Sequence, residues 1–223
     1  MDLLWYSIVH DWAVLLPIVL CSVLMFAVAI ERTWLYRSNK RNVVRFVHNL
    51  QRELDQSVEH ARRLAEKEGG VIGEVAEEGT RILQSHPETF ERLFDITTSL
   101  ATRGLAHNLS ILATIATISP YLGLFGTVIR ILLTFGDMAK TGGGGGAAEI
   151  MFGIGSALIA TAFGLGVAIL SVTLNNRFHS IVNQYAADFE LLKLLFLSAA
   201  ESQSRAQLRR GVTPRQSQDR VQI

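Results

Sequence analysis

Apolar residues are concentrated in three long runs, and the segments between the runs carry apolar positions at helical spacing. The runs, 12–30, 109–135 and 150–174, each come near or exceed the roughly 20 residues that an α-helix needs to cross a bilayer. Within them the only charged residue is Arg130, near the far end of the second run. This pattern predicts an all-α integral membrane protein with three transmembrane helices.

The intervening segments are also predicted to be helical. Between the first two runs, apolar residues recur every three or four positions with charges between them, a pattern typical of helices with one solvated face. Gly69 and Gly70 interrupt this pattern, and "SHPETFERLF" at 85–94 predicts a new helix start. From there we expect one helix to continue into the second run.

Lysine and arginine positions predict the orientation. Twelve of these basic residues lie within 31–108, and seven follow the third run. Residues 1–11 have none, and the loop between the second and third runs has only Lys140. Because basic residues favour the cytoplasmic side, both basic regions are predicted to be long cytoplasmic helical extensions. No basic residue precedes the first run and no A-x-A-like site follows it, so we expect a retained span rather than a signal peptide.

The predicted organisation therefore has eight parts. They are an external N-terminus (1–11), transmembrane helix 1 (12–30), a cytoplasmic helical domain (31–108), transmembrane helix 2 (109–135), a short Gly-rich external loop (136–149), transmembrane helix 3 (150–174), a cytoplasmic helix (175–201) and a disordered tail (202–223).

Composition argues against several classes of function. Hydrophobic residues make up 49% of the chain and charged residues only 18%, which is unlike a soluble domain. The single cysteine, Cys21, cannot form a disulfide framework. Gly142–Gly146 lack the preceding strand, lysine and hydroxyl of a phosphate-binding loop. We therefore expect no enzyme, no cofactor, no metal site and no nucleic-acid partner.

The second run contains an unusual number of small and polar residues. Ser110, Thr114, Thr117 and Tyr121 share one helical face, and Thr127 lies on a polar face further along. Two interpretations remain open. The hydroxyls could donate to carbonyls of their own helix, or they could form a shared polar face towards other helices and water.

Pro120 interrupts the same run and removes one backbone donor, which predicts a kink and a carbonyl at Ala116 without its usual partner. With Ser119, Gly123 and Gly126 nearby, this region is expected to face a cavity or to lie very close to another helix.

The third run carries a continuous stripe of small residues. Its members recur at spacings of three or four: Gly153, Ala157, Ala160, Gly164, Ala168 and Ser171. Such a stripe lets another helix backbone approach closely, so it predicts packing and not chemistry.

None of the three runs contains Asp, Glu or His. Transport of protons across the hydrocarbon requires a group that gains and loses protons, or a continuous chain of water. Hydroxyls can orient water but do not store a proton near neutral pH. If this protein conducts protons, the titrating group must come from another chain.

"ATISPYLGLFGTV" followed by "GIGSALIATAFGLGVAI" resembles the TolQ/ExbB family, which is more distantly related to MotA. The resemblance implies a proton-channel-forming stator subunit in a bacterial inner membrane, with the external side in the periplasm. It further implies a homopentamer around a dimeric, single-span ExbD/TolR-like partner that carries a membrane Asp, with a TonB/TolA-like third component as a further candidate. The implied pore-facing threonine is Thr161, with Thr117 and Ser119 in the hydroxyl region before the proline. We expect Thr127 and Ser156 to line the same ion pathway.

Two positions depart from the family pattern. Ser156 stands where relatives commonly have glutamate before "ALIATA", and Arg130 stands where they commonly have glycine. Arg130 could extend to the outer interface, or it could pair with an acid of the partner or with Asp137 or Glu149. These departures leave a non-conducting scaffold of the same architecture as an alternative. A related motor for gliding or secretion is another.

Overall fold

The computed structural model describes residues 12–39, 43–140 and 147–211, and these residues are almost entirely helical. The predicted external N-terminus and the glycines Gly142–Gly146 lie outside the described residues. In chain order the helices are α1 (Trp12–Ser38), α2 (Val43–Gln56), α3 (Val58–Glu68), α4 (Gly70–Ser85), a 3₁₀ turn (Pro87–Thr89), α5 (Phe90–Ala106), α6 (Leu109–Lys140) and α7 (Ala147–Gly211).

Three of the described helices, α1, α6 and α7, are long and apolar enough to cross a membrane. The stretches of helix concerned are Leu15–Ser38, Leu109–Ala139 and Ile150–Ser202, and each contains an apolar segment of spanning length. The prediction of an all-α membrane protein with three spans is therefore confirmed.

The described chain divides into two compact units. The first contains Met1–Tyr36 and Ala106–Ile181, and the second contains Arg37–Leu105 and Val182–Ile223. In the first unit α1 buries a single face, with members every three to seven residues: Leu15, Ile18, Met25, Val28, Arg32 and Tyr36. This spacing places one stripe of α1 against its neighbours and leaves the rest of its surface exposed.

The helices continue past the predicted ends of the spans. The first extends to Ser38 and the second to Lys140, and α7 is one helix through Gly211. Residues 202–211, which the sequence analysis assigned to a disordered tail, are the last residues of this helix. Residues 202–210 contain no proline or glycine and include Ala, Gln, Leu and Arg, which favour helix. Residues 212–223 lie outside the described residues.

The helix expected to run unbroken into the second span is interrupted. Its first part, α5, ends at Ala106, and Asn108 adopts a left-handed backbone conformation with φ of 64° before α6 begins. Asparagine tolerates this conformation better than most residues, because its short polar side chain can hydrogen-bond locally. A periodic pattern alone does not reveal such a one-residue break.

In the second unit, glycine and capping residues set the helix boundaries. Gly69 and Gly70 have φ of 63° and 62°, a conformation that L side chains rarely adopt, and they separate α3 from α4 as predicted. At the start of α3, the Ser57 hydroxyl accepts a hydrogen bond from the Glu59 N–H at 3.2 Å. Pro87 begins the 3₁₀ turn that leads into α5.

Three phenylalanines form the centre of the second unit. Phe90, Phe94 and Phe196 are fully buried, and their ring centroids lie 5.2–5.7 Å apart. Beside them, Lys193 Nζ contacts Asp95 Oδ1 at 2.7 Å and Glu91 Oε1 at 3.3 Å. These contacts join the C-terminal part of α7 to α5.

Gly79 leaves no space for a side chain beside this cluster. A Cβ at this position would lie 2.6 Å from Phe196 Cε2 and 2.8 Å from Phe94 Cε2. We expect Gly79→Ala to destabilise the protein by about 1–3 kcal/mol, because the rings must move in a packed core. Thermal unfolding of the detergent-solubilised protein measures the effect.

Gly104→Ala in α5 provides the matched control, because a Cβ there meets nothing within 4 Å. The higher helix propensity of alanine should leave that variant unchanged or stabilised by up to about 1 kcal/mol. Equal melting temperatures for the two variants would contradict the tight packing at Gly79.

Candidate functional site

In the first unit, α6 and the N-terminal part of α7 pack against each other as antiparallel helices. Contacts advance along α6 while they recede along α7: Ser119 lies opposite Gly164, Gly123 opposite Thr161, Arg130 opposite Ser156 and Thr134 opposite Gly153. This register, which we call the α6–α7 seam, brings together most of the residues that the sequence singled out in the second and third spans.

Small residues allow the two backbones to approach closely at the seam. A Cβ on Gly164 would lie 2.5 Å from Ser119 O, and one on Gly123 would lie 2.9 Å from Thr161 Cα. A Cβ on Gly153 would overlap the side chain of Thr134. The remaining predicted packing residues of the two helices are also buried: Gly126, Ala157 and Ala160. The helix that packs against the small-residue stripe at Gly153 and Gly164 is thus α6 of the same chain.

Thr161 bridges the two helices where Gly123 approaches α7. Its Oγ1 donates a hydrogen bond to the backbone carbonyl of Gly123 at 3.0 Å, although 38 residues separate the two in sequence. The side chain is half-buried, and its hydroxyl oxygen retains acceptor capacity for water or another group.

In contrast to Thr161 on α7, most hydroxyls of α6 donate to carbonyls of their own helix. Thr114, Thr117 and Thr127 donate to the carbonyls of Ser110, Ala113 and Leu124 at 2.7–3.0 Å. Thr117 is exposed, whereas Thr127 is buried in the unit. In this chain the local back-bonding interpretation therefore holds for these three side chains. The oxygens of Thr114 and Thr117, which are exposed, stay accessible as acceptors.

Ser119 and Pro120 lie at the same crossing as Gly164. Ser119 is fully buried, and within the described residues its Oγ has no hydrogen-bond partner. Pro120 is half-buried, and α6 continues as one helix across it. The kink and the role of Ser119 in a pathway stay predictions.

The two residues that depart from the family pattern contact each other. Arg130 Nε donates to Ser156 Oγ at 3.0 Å, and that hydroxyl donates in turn to Gly153 O at 3.0 Å. Ser156 is 1% exposed, whereas Arg130 is half-buried. Of the expected acidic partners within the chain, Glu149 has a side chain outside the described residues. The serine contact itself was not predicted.

A second polar cluster at the end of α1 was also missed by the sequence analysis. Arg32 is 4% exposed, and its NH2 donates to Glu31 Oε1 at 2.8 Å and lies 3.4 Å from His107 Nδ1. The Asn108 amide lies 3.4 Å from Glu31 Oε2. In the sequence analysis Arg32 counted only as one of the twelve basic residues within 31–108 that predict the orientation. Two features of the sequence could have indicated this cluster: Glu31 is adjacent to Arg32, and His107 and Asn108 directly precede the second span.

Similarity to known proteins extends over both units of this chain. The family described as the MotA/TolQ/ExbB proton channel family matches residues 67–191, more than half of the chain. This match includes α4, α5, α6 and the seam-forming part of α7. The α6–α7 seam thus lies entirely inside the matched region.

Three relatives illustrate the range of similarity. ExbB-like 1, a biopolymer transport protein of Synechocystis, is 32% identical over 197 residues, which cover 82% of this chain and 75% of the relative. The Tol-Pal system protein TolQ of Haemophilus influenzae is 36% identical over 120 residues, or 50% of this chain and 52% of TolQ. The biopolymer transport protein ExbB of Aquifex aeolicus is 44% identical over 88 residues, covering 40% of this chain and 59% of that protein. The chain belongs to the MotA/TolQ/ExbB proton channel family.

Proposed function

We propose that this protein is a proton-channel-forming subunit of an inner-membrane energy-transducing complex, of the kind its relatives' names describe as biopolymer transport or Tol-Pal systems. The observation that carries the proposal is the Thr161–Gly123 hydrogen bond across the α6–α7 seam. It holds a hydroxyl in a fixed orientation within a spanning segment, where a polar group is expensive unless it serves packing or transport.

In this proposal the proton-carrying group belongs to a partner chain. The three apolar runs 12–30, 109–135 and 150–174 contain hydroxyls but no Asp, Glu or His. Hydroxyls orient water and donate hydrogen bonds, but they do not store protons at neutral pH. By the family resemblance, that partner is a single-span protein of the ExbD/TolR type with a carboxylate in its membrane helix. Several copies of this chain, a pentamer by the family resemblance, surround it.

The distribution of basic residues predicts how the protein is oriented in the membrane. The N-terminus faces the periplasm, and residues 31–108 and the segment after the third span face the cytoplasm, because both are rich in arginine and lysine. Protons would then flow inward between this protein and the partner helices that its copies surround. This flow would drive the partner's periplasmic part to do work on the envelope, directly or through a TonB/TolA-like third component.

Proton flux in liposomes tests this function. The protein is co-purified with the partner encoded by the adjacent gene, and flux is compared with a complex in which the partner's membrane Asp is changed to Asn. We expect flux in the first sample and its loss in the second, since asparagine cannot exchange a proton. Equal flux in both samples, or none in an intact complex, would contradict a two-chain proton pathway.

The alternative is a non-conducting scaffold of the same architecture. One observation bears on it: the Arg130 guanidinium contacts Ser156 in the seam, and a cation within a span raises the barrier to incoming protons unless an acid neutralises it. The same flux measurement separates the two functions, because a scaffold would hold the partner in a stable complex without conducting.

A further inference from the structure

Glu31 and Arg32, near the end of α1, contact the two residues that separate α5 from α6. Arg32 NH2 lies 3.4 Å from His107 Nδ1, and Asn108 Nδ2 lies 3.4 Å from Glu31 Oε2. Within α1, Arg32 NH2 also donates to Glu31 Oε1 at 2.8 Å. All four residues belong to the first unit, and we call them the Arg32 cluster. Side chains of this cluster thus attach the end of α1 to the segment that leads into α6.

The contact between Arg32 and His107 requires a neutral imidazole ring. A guanidinium can only donate, so His107 Nδ1 must accept and the ring proton must lie on Nε2. A protonated ring carries N–H groups on both nitrogens, and it would direct a donor and a positive charge at Arg32. Because histidine side chains change their charge between about pH 5 and 8, this contact depends on pH in that range.

The charge that touches the His107 ring opposes its protonation in this arrangement. Arg32 is 4% exposed, so its positive charge is less screened than that of an arginine in open solvent. The Glu31 carboxylate pairs with Arg32, and none of the ion pairs within the described residues joins that carboxylate to His107. A second positive charge on the ring would therefore meet the cation before it meets the anion.

The ring is open to protons from the solvent, because His107 is exposed. Within the described residues, its hydrogen bonds and ion pairs are limited to the contact with Arg32. Phe178 packs against Tyr36 with ring centroids 5.5 Å apart, which brings α7 to the same end of α1. The other titratable or charged side chains near the cluster in the chain, or at this end of the unit, are Tyr36 on α1, which contacts Arg32, Arg103 on α5, and Arg177 and His179 on α7, the last three of which are exposed.

We propose that His107 is a pH-sensitive switch for the attachment of α1 to the start of α6. The neutral ring holds Arg32, and protonation of the ring removes the acceptor and repels the guanidinium. The contact is thus present above the titration range of histidine and is lost as the pH falls through that range. The predicted orientation places this end of the unit on the cytoplasmic side, so the switch responds to acid there. It does not depend on conduction and stands independently of the proposed function.

Hydrogen exchange of the purified protein tests the switch. Amide exchange of residues 25–38 and 107–116 is compared between the wild type and His107→Asn at about pH 8 and about pH 5.5, which lie on the two sides of histidine titration. Each comparison is made at one pH, so the intrinsic pH dependence of exchange cancels. Asparagine keeps an acceptor for Arg32 and does not titrate.

We expect the two proteins to exchange equally at the higher pH. At the lower pH these segments of the wild type should exchange about fivefold faster than those of His107→Asn, since two like charges in contact repel even with water-like screening. Equal exchange of the two proteins at both pH values would overturn the proposal.

Two further variants keep the test decisive. His179→Asn replaces an exposed histidine on α7 and should match the wild type at both pH values. If it instead removes the acid effect, His107 is not the switch. His107→Leu has no acceptor, so it should exchange faster than the wild type at the higher pH, where the ring is neutral. If it exchanges as slowly as the wild type there, the contact does not hold α1 and the proposal fails.

Discussion

Leucine in place of Gly164 is expected to prevent α6 and α7 from packing in their native register. The first atom of the new side chain would already lie 2.5 Å from Ser119 O and 3.0 Å from Gly123 Cα. Both are backbone atoms of α6, which cannot move aside as the end of a flexible side chain can. The helices would have to separate, with loss of the Thr161–Gly123 hydrogen bond as well.

We expect Gly164→Leu to give little or no properly assembled protein in detergent extracts, and any extracted protein to melt well below the wild type. Overpacking a tight contact typically costs about 1–3 kcal/mol, and the added leucine atoms increase that cost. Fluorescence-detected size-exclusion chromatography and thermal unfolding measure these effects.

Gly166 supplies the matched control on the same helix. A Cβ at Gly166 meets nothing within 4 Å in this chain, so Gly166→Ala should fold and melt as the wild type does, whereas Gly164→Ala should melt lower. The alanine pair compares one methyl group at two positions only two residues apart. Normal assembly of both Gly164 variants would mean that the seam is not the close contact described here.

The features that could be predicted from the sequence are those with a local cause. Three apolar runs predict three spans because the bilayer sets the length of a helix, and the structure confirms them. The stripe that contains Gly153 and Gly164 predicts a close helix contact, since small side chains at spacings of three and four share a face. The stripe does not identify the helix that uses it, and only the folded register reveals that this helix is α6.

The features that could not be predicted depend on contacts between distant parts of the chain. Arg130 and Ser156 are separated by the loop between the second and third spans, and nothing in either neighbourhood indicates that they meet. Arg32 and His107 are 75 residues apart. In both cases the sequence identifies unusual residues near or within spans, but the choice of partner follows from the register between helices.

The hydroxyls of α6 illustrate how local and long-range interactions compete. Thr114 and Thr117 share a face, which raised the expectation of a common polar surface, yet both donate to the preceding turn of their own helix. A hydroxyl in a helix always has such a carbonyl nearby, so the local bond forms unless another acceptor is better placed. Thr161 has that better acceptor in Gly123 O. It is therefore the hydroxyl whose loss should matter most.

Replacement of Thr161 with valine is expected to lower proton flux by about tenfold or more while the complex stays assembled, since a positioned hydroxyl can assist proton transfer and a methyl group cannot. Valine has nearly the same shape as threonine, so the packing against Gly123 is kept. The lost hydrogen bond costs about 1 kcal/mol of stability, which a span held by many other contacts tolerates.

Thr161→Ser separates the hydroxyl from the methyl group of the side chain. Serine keeps a donor for Gly123 O and an oxygen for water, so we expect most of the flux to remain, whereas Thr161→Val should lose it. Flux in liposomes is measured for both variants beside their melting temperatures. If valine leaves the flux intact, Thr161 serves helix packing alone and the pathway must follow other groups. If valine loses flux together with assembly while serine keeps both, the hydrogen bond is structural, because only a transport role separates flux from stability.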